Sequence, residues 1–212
     1  MRRLFHFPMS PFSRRTRLAL ARKGLDVTLC DARANPAFRE EAARLVSLRT
    51  IPVLVEEDGL ALGDSIAISH YLDRAYPDAP PLWPPDAAGA HAALEVATLV
   101  DLALNAVIDL GTRYWPLHGD PAWRSVTTET LARAELAFDA LPAKAAALPA
   151  AWGAGHMCLF TMVAWLEGLP ARATQNPMVG QIVSLGYSLP PALERWADAY
   201  RTRDDVRALE KV

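Results

Sequence analysis

The sequence predicts a protein of two domains, an α/β domain followed by an all-helical one, and three observations support this prediction. In about the first 80 residues, short alternating apolar runs are separated by stretches with helical spacing, a pattern typical of a layered α/β unit. Residues 77–85 then contain five of the 17 prolines of the chain. Beyond them, only Ala- and Leu-rich helical patterns follow. We therefore expect domains at residues 1–78 and 86–212, joined by a linker at 79–85.

The first three predicted elements are a strand, a helix and a second strand. Residues 3–7 alternate in strand fashion. The helix should begin at Pro11 with Ser10 as its cap, because proline suits the first helical position and serine suits the cap. Its core-facing stripe consists of Phe12, Thr16, Ala19 and Leu20. Gly24 ends this helix, and residues 26–30 form the second strand.

A second helix and a third strand come next. The helix begins at Asn35-Pro36 and runs to about Val46. Residues 50–55 then enter an apolar strand. Pro52 must lie at the start of this strand, because its ring removes a hydrogen-bond donor from the sheet, and its peptide bond is of the kind that can be cis.

A β-hairpin and a helix complete the first domain. Asp58-Gly59 is a strong turn signal before a strand at residues 60–62. Asp64-Ser65 then heads the third helix. The helices predicted for the second domain lie at residues 86–114, 122–147, 155–168 and 190–199.

Composition excludes several classes of partner. The 212 residues, 51% of them hydrophobic, are enough for a buried core. A net charge of −2 gives no electrostatic reason to expect a nucleic acid or an anionic membrane. The longest apolar stretch, at residues 157–166, is far shorter than the ~18 to 20 residues of a membrane span. The apolar segment before Pro8 is also too short for a signal peptide. We expect an intracellular protein whose arginines at 14–22 form a solvated helix face.

Cysteine and histidine usage predicts no metal site. Cys30 and Cys158 are far apart and lack metal-binding or redox spacing. The five histidines, which also lack ligand spacing, are His6, His70, His91, His118 and His156. A reducing cytoplasm fits this usage best.

The sequence Ser-Pro-Phe-Ser at residues 10–13 is the most informative motif. It is a Cys-Pro-Tyr-Cys redox motif with both sulfur atoms replaced by oxygen. A helix N-terminus lowers the pKa of a thiol and makes it nucleophilic. Two hydroxyls cannot exchange disulfides, which disfavours a thiol–disulfide oxidoreductase. They can instead donate hydrogen bonds to the thiolate of a bound molecule.

The elements and motifs, taken in this order, resemble a cytosolic glutathione S-transferase over essentially the whole chain. Four segments carry the resemblance, namely residues 10–18, 51–54, 64–65 and 68–77. The first is similar to zeta-, omega- and beta-like bacterial members, with serine in place of cysteine. The resemblance implies a thioredoxin-like N-terminal domain, a helical C-terminal domain and usually a homodimer. It also implies a cytoplasmic detoxification enzyme that activates the glutathione thiolate for attack on a small hydrophobic electrophile.

The resemblance assigns Ser10 to the thiol of glutathione. Ser10 matches a position that is serine in zeta-like and cysteine in omega-like members, and Ser13 matches the second, resolving cysteine of redox relatives. Ser10 is therefore the expected catalytic residue and Ser13 the alternative. A hydroxyl aimed at the sulfur beside a helix N-terminus raises the thiolate fraction. The competing interpretation is that Ser10 only caps the helix, since one hydroxyl cannot easily serve both roles.

The resemblance also implies which residues bind the other parts of glutathione. Asp64 and Ser65 match the acidic-Ser pair that holds the γ-glutamyl end, or they are two ordinary capping residues. A helix start offers free N–H groups to a carboxylate, and the acidic side chain meets the ammonium group. Ile51, if Pro52 is cis, presents its backbone to the cysteinyl unit as an added strand would.

Three departures from the family pattern weaken the expectation of tight glutathione binding more than that of the fold. Asp64 is one methylene shorter than the usual glutamate, which predicts a looser or water-bridged ammonium contact. Arg49-Thr50 replaces the usual Gly-Lys, and Arg49 is expected to resist the positive φ that glycine allows. The sequence at residues 153–156 replaces a capping box, so the helix there should begin less firmly.

The pocket for the second substrate is expected between the domains, and three functions stay open. Residues predicted to line it are Met9, Phe12, Asn105, Tyr114 and Trp115. Asp101 and Arg113 could add polar contacts. The leading hypothesis is a glutathione transferase. The alternatives are a glutathione-dependent isomerase or dehalogenase that uses the same thiolate, and a non-catalytic binding protein that kept the scaffold.

Overall fold

A mixed four-stranded sheet forms the centre of the N-terminal half. The computed structural model describes residues 1–117 and 119–209. The strands are β1 (Arg3–His6), β2 (Thr28–Asp31), β3 (Val53–Val55) and β4 (Ala61–Gly63). Their order in the sheet is β2-β1-β3-β4, with β2 parallel to β1 and the other two pairs antiparallel. This is the thioredoxin-like arrangement that the resemblance implied.

Three helices cover the sheet, and their starts follow the sequence signals. They are α1 (Pro11–Arg22), α2 (Pro36–Leu45) and α3 (Ser65–Ala75). Ser10 caps α1, Asn35 caps α2 and Asp64 caps α3. The strand β3 begins one residue after Pro52, where the missing N–H of proline removes no hydrogen bond from the sheet.

The remaining described chain is helical. The helices are α4 (Ala87–Thr112), a 3-10 turn (Trp115–Leu117), α5 (Ala122–Ala146), α6 (Ala154–Glu167), α7 (Leu169–Ala173), α8 (Pro177–Ser184), α9 (Pro191–Asp198) and α10 (Asp204–Leu209). The four predicted helices correspond to α4, α5, α6 and α9, within two residues at each end. The short helices α7, α8 and α10 were not predicted; α7 and α10 have only five and six residues, too few to establish a helical period. None of the described helices has both the length and the apolar character required to cross a bilayer.

The start of α6 is better supported than the missing capping box suggested. The expectation of a loose start was wrong, because Ala154 N donates to the carbonyl of Leu82 at 2.7 Å. A backbone acceptor from the linker thus satisfies a donor that a capping side chain would otherwise satisfy. A Cβ on Gly153 would lie 2.5 Å from that same carbonyl oxygen. Glycine at this position therefore lets the linker dock directly on the helix.

The prediction that the arginines at 14–22 form a solvated helix face was also wrong. Arg14, Arg15 and Arg17 are all buried. The helix α1 packs against α3 on one side and α6 and α10 on the other. It therefore lies between the sheet domain and the helical domain, so that few of its side chains can reach water.

His156 makes folding stability depend on pH. It lies in a buried aromatic cluster with Trp152, Trp196 and Tyr200. Burial, with smaller contributions from Arg203 and Arg22, lowers the pKa of His156 from 6.5 to about 4.

We expect the protein to lose stability in the acid range through His156. Below pH 6.5 the unfolded chain binds a proton at this histidine and the folded chain does not, so acid favours unfolding. The free energy of unfolding should fall by about 2 kcal/mol between pH 6.5 and 5 from this group. Urea titrations of the protein and of His156→Phe at both pH values measure it. An equal fall in the two proteins would contradict the assignment.

Candidate functional site

A cavity of about 690 Å³ lies between the two halves of the fold, beside the N-terminus of α1. Its N-terminal wall includes Ser10, Phe12 and Ile51, and its other wall comes from α4 and from residues 165–182. Sequence-predicted residues from separate motifs therefore meet at one concave surface.

Ser10 and Ser13 occupy different environments. Ser10 is partly exposed on the cavity wall, and its Oγ accepts a 3.4 Å hydrogen bond from Ser13 N. Ser13 is fully buried, and its Oγ accepts from Phe7 N at 3.2 Å. The expectation that one hydroxyl cannot both cap and donate was too strict. A serine hydroxyl accepts with its lone pairs and still has one proton to donate.

The loop before β3 brings main-chain atoms to the same cavity. The Ile51–Pro52 peptide bond is cis, and Ile51 lines the cavity. Arg49 has a φ of +53°, so the expectation that arginine would resist the positive φ of the usual glycine was wrong. The left-handed conformation costs roughly 1 kcal/mol for a non-glycine residue. Arg49 therefore adopts the left-handed conformation that was expected to require glycine, and adds a charged residue to the cavity wall.

Asp64 and Ser65 form the start of α3. Asp64 has a φ of +65°, and its Oδ1 accepts from Ile66 N and Ala67 N at 2.9 Å. This is the capping role considered as the alternative. Asp64 is nevertheless exposed, and Ser65 is at the first helical position, where the N–H has no intrahelical acceptor. The cap thus coexists with a backbone donor at the helix terminus.

Arg15 was missed by sequence reasoning and lies at the centre of a buried network. Its Nε donates to Ser65 Oγ at 2.8 Å, and its Nη1 donates to Asp101 Oδ1 at 2.6 Å. Nη1 also lies 3.4 Å from Cys158 Sγ. Burial opposes the charge, but Cys158 and Asp101 outweigh it and raise the pKa of Arg15. One side chain therefore links α1, α3, α4 and α6.

The burial of Arg15 had a sequence signal that was not used. It lies three residues after Phe12 and four before Ala19, on the apolar stripe of α1. A cation on such a stripe needs a buried anion. Asp101, expected to contact the second substrate, supplies that anion instead.

The predicted lining of the second-substrate pocket was partly wrong. Met9 and Phe12 line the cavity. Asn105 is exposed one turn before the lining residue Ile108, and Tyr114 packs against the hydrophobic core. The predicted Trp115 belongs to the 3-10 turn, and its side chain lies outside what the structure describes. Arg113 is exposed and pairs with Asp109 at 3.8 Å.

Most of the far wall was not predicted. It includes Ile108 and Thr112 from α4, Trp165 from α6 and Arg172 from α7. The helix α7 was itself not predicted, so no sequence pattern placed Arg172 on the cavity that Ser10 lines. Within the described chain there is no group of three or more His, Cys, Asp or Glu side chains able to hold a metal ion. His118 lies outside the described residues.

Comparison with known proteins identifies the N-terminal half. Residues 4–81 match the family model described as the glutathione S-transferase N-terminal domain. A probable glutathione S-transferase GSTU1 of Oryza sativa subsp. japonica is 33% identical over 132 residues, or 56% of this chain and 52% of the relative. A stringent starvation protein A homolog of Coxiella burnetii is 37% identical over 81 residues, 38% of this chain and 37% of the relative. The chain thus spans about half or less of the length of these curated relatives.

Solved structures share the whole fold. The glutathione S-transferase of Methylobacillus flagellatus KT, solved with glutathione bound, superposes with a TM-score of 0.76. It is 24% identical, with 99% of this chain and 98% of that chain covered. Both halves of the fold therefore have the arrangement found in that protein. Residues 4–81 of the chain thus match the glutathione S-transferase N-terminal domain, and the whole chain has the fold of solved glutathione S-transferases.

Proposed function

We propose that this protein binds glutathione in the cavity beside Ser10 and transfers it to a small electrophile. The observation that carries the proposal is the position of Ser10, whose hydroxyl is on the cavity wall at the N-terminus of α1. The positive end of the helix dipole favours a negatively charged sulfur there. The solved relative from Methylobacillus flagellatus KT, which binds glutathione, supports the choice of thiol.

The proposed placement of glutathione uses three groups, of which Ile51 lines the cavity and Asp64 and Ser65 do not. The α-carboxylate of its γ-glutamyl unit would accept from the first-turn N–H groups of α3 at Ser65, and its ammonium group would approach Asp64. The backbone of Ile51 would pair with the cysteinyl unit, as an added strand does. This order leaves the thiol near Ser10 and the remaining volume of the cavity for the second substrate.

The chemistry needs little more than a stabilised thiolate. A free thiol has a pKa of about 8.5 and is mostly protonated at neutral pH. The Ser10 hydroxyl would donate to the sulfur, so that the thiol proton leaves to solvent more readily. The thiolate then attacks the electrophilic carbon. A carbon–sulfur bond forms, and the leaving group departs with its bonding electron pair.

The oligomeric state and setting belong to the same proposal. We expect a cytoplasmic homodimer that acts in detoxification, as the family resemblance implies. A sedimentation mass near the 23.2 kDa of one chain would contradict the dimer.

A non-catalytic scaffold protein is the second candidate function. A relative that is 37% identical over 81 residues is named a stringent starvation protein A homolog and not a transferase, which favours this candidate. The replacements at Arg49 and Asp64 point the same way, because both lie where the family holds glutathione.

Calorimetric titration with glutathione separates these candidates. We expect saturable binding in the millimolar range or tighter, weakened about tenfold in Ser65→Ala, which loses a hydroxyl next to the carboxylate. Ser47→Ala, at an exposed position outside the cavity lining, is the matched control and should bind as the unmodified protein does. Absence of heat with the unmodified protein would exclude the transferase and favour the scaffold.

A further inference from the structure

The charged residues that line the described part of the cavity are all positive. Four arginines line it, namely Arg33, Arg39, Arg49 and Arg172. No aspartate or glutamate is among the described residues of the lining. An excess of guanidinium groups around a concave, partly apolar surface attracts anions.

Arg33 and Arg172 come from opposite sides of the cavity. Arg33 precedes α2, whereas Arg172 is on α7 in the helical half. The other two arginines, Arg39 and Arg49, belong to the wall around Ile51, where the proposed glutathione lies. Together Arg33 and Arg172 form a cationic pair between the domains, which we call the arginine pair.

Arg172 is held in place by main-chain carbonyls. Its Nε donates to Gly168 O at 2.9 Å and its Nη2 donates to Trp165 O at 2.7 Å. The guanidinium also lies 5.5 Å from the centre of the Trp165 ring. A guanidinium has five N–H donors, so these two bonds fix its position and leave further donors.

The arginine pair is destabilised by its own charge. Burial lowers the pKa of Arg172, and although Tyr187 opposes this, the nearby Arg33 lowers the pKa further. Neither arginine has a carboxylate partner within the described ion pairs of the protein. An anion between the two would therefore relieve repulsion and gain charge-assisted hydrogen bonds.

We propose that the arginine pair binds an anionic group of the second substrate, so that the preferred electrophile is an amphipathic organic anion rather than a neutral hydrophobic molecule. Its apolar body would pack on Phe12, Ile108 and Trp165, which line the same cavity. This proposal rests on the proposed function, because it concerns the partner of glutathione in that site.

The test compares two ligands that differ only in a carboxylate and need no turnover. Quenching of tryptophan fluorescence gives the affinities of a dinitrobenzoate and of the corresponding dinitrobenzene, with and without saturating glutathione. The unmodified protein should bind the carboxylate about tenfold more tightly. In Arg33→Glu the new carboxylate pairs with Arg172, and the preference should disappear. Arg33 is exposed, so this variant should keep the thermal stability of the unmodified protein.

Arg44→Glu is the matched control, because it makes the same change of charge at an exposed position of α2 outside the cavity lining. It should retain the preference.

The proposal is wrong if the unmodified protein shows no preference for the carboxylate, if Arg33→Glu keeps the preference, or if both variants lose it equally. Loss of the preference on adding glutathione would also overturn it, because the anion site would then be part of the glutathione site. If the protein prefers the carboxylate ligand but binds no glutathione, the proposed function is contradicted and the anion site is still supported.

Discussion

Replacing Ser10 by alanine is expected to lower kcat/KM for the conjugation of glutathione to an aryl halide about 100-fold. In the proposed complex the hydroxyl donates to the thiolate, and removing a donor aimed at a charged group costs about 2 to 3 kcal/mol. The pH at which activity rises should shift upward, because the thiol of bound glutathione then keeps its proton to a higher pH. Steady-state rates measured across pH report both effects.

Two further variants separate catalysis from capping. Loss of the Ser10 cap also removes about 1 kcal/mol of stability. Ser10→Thr keeps both the hydroxyl and the cap, and should recover most of the activity. Ser13→Ala removes a buried hydroxyl that accepts from Phe7 N, so it should lower stability and leave kcat/KM nearly unchanged. Undiminished activity in Ser10→Ala would transfer the catalytic role away from this residue.

Replacing Arg15 by methionine is expected to destabilise the fold by about 3 kcal/mol. The side chain of Arg15 is 4% exposed and that of Asp101 is 29% exposed. Removing one partner of a buried pair costs about 3 to 5 kcal/mol, and partial exposure of the other places this pair at the lower end. The melting temperature should fall by roughly 6 to 12 °C for a domain pair of this size. Glutathione affinity should fall as well, because Ser65 Oγ loses the donor that orients it.

Arg113→Met is the matched control for Arg15→Met. Arg113 pairs with Asp109 at 3.8 Å, and its side chain is 69% exposed. An exposed pair contributes little, so this variant should melt within about 2 °C of the unmodified protein. Equal destabilisation by the two substitutions would show that the buried network is not what links the domains.

Local signals predicted the fold well because each is short and has a steric basis. Pro11 after Ser10, Pro36 after Asn35 and the Asp58-Gly59 turn fix where elements begin and end, and the structure confirms them. The proline-rich segment lies between α3 and α4. The domain boundaries at 78 and 86 stay predictions, since that segment packs directly on α6 through Leu82.

The site was less predictable, because it depends on contacts between distant parts of the chain. Helical period alone cannot show which residue of α4 faces a cavity whose other wall is α7. It placed Asn105 in the pocket and missed Ile108, one turn later. Arg15 and Asp101 are 86 residues apart, so neither could be assigned a partner from spacing. A charged residue on an apolar helix stripe was the available signal for a buried pair.

The central claim is that Ser10 stabilises the thiolate of bound glutathione, and the pKa of that thiol tests it most directly. Ultraviolet absorbance of the thiolate, followed from acid to alkaline pH in the complex, measures this pKa. We predict a value near 7, lowered from the usual 8.5 or so, that returns toward 8.5 in Ser10→Ala. A thiol pKa in the complex equal to that of free glutathione, or one that is the same in both proteins, would contradict the claim.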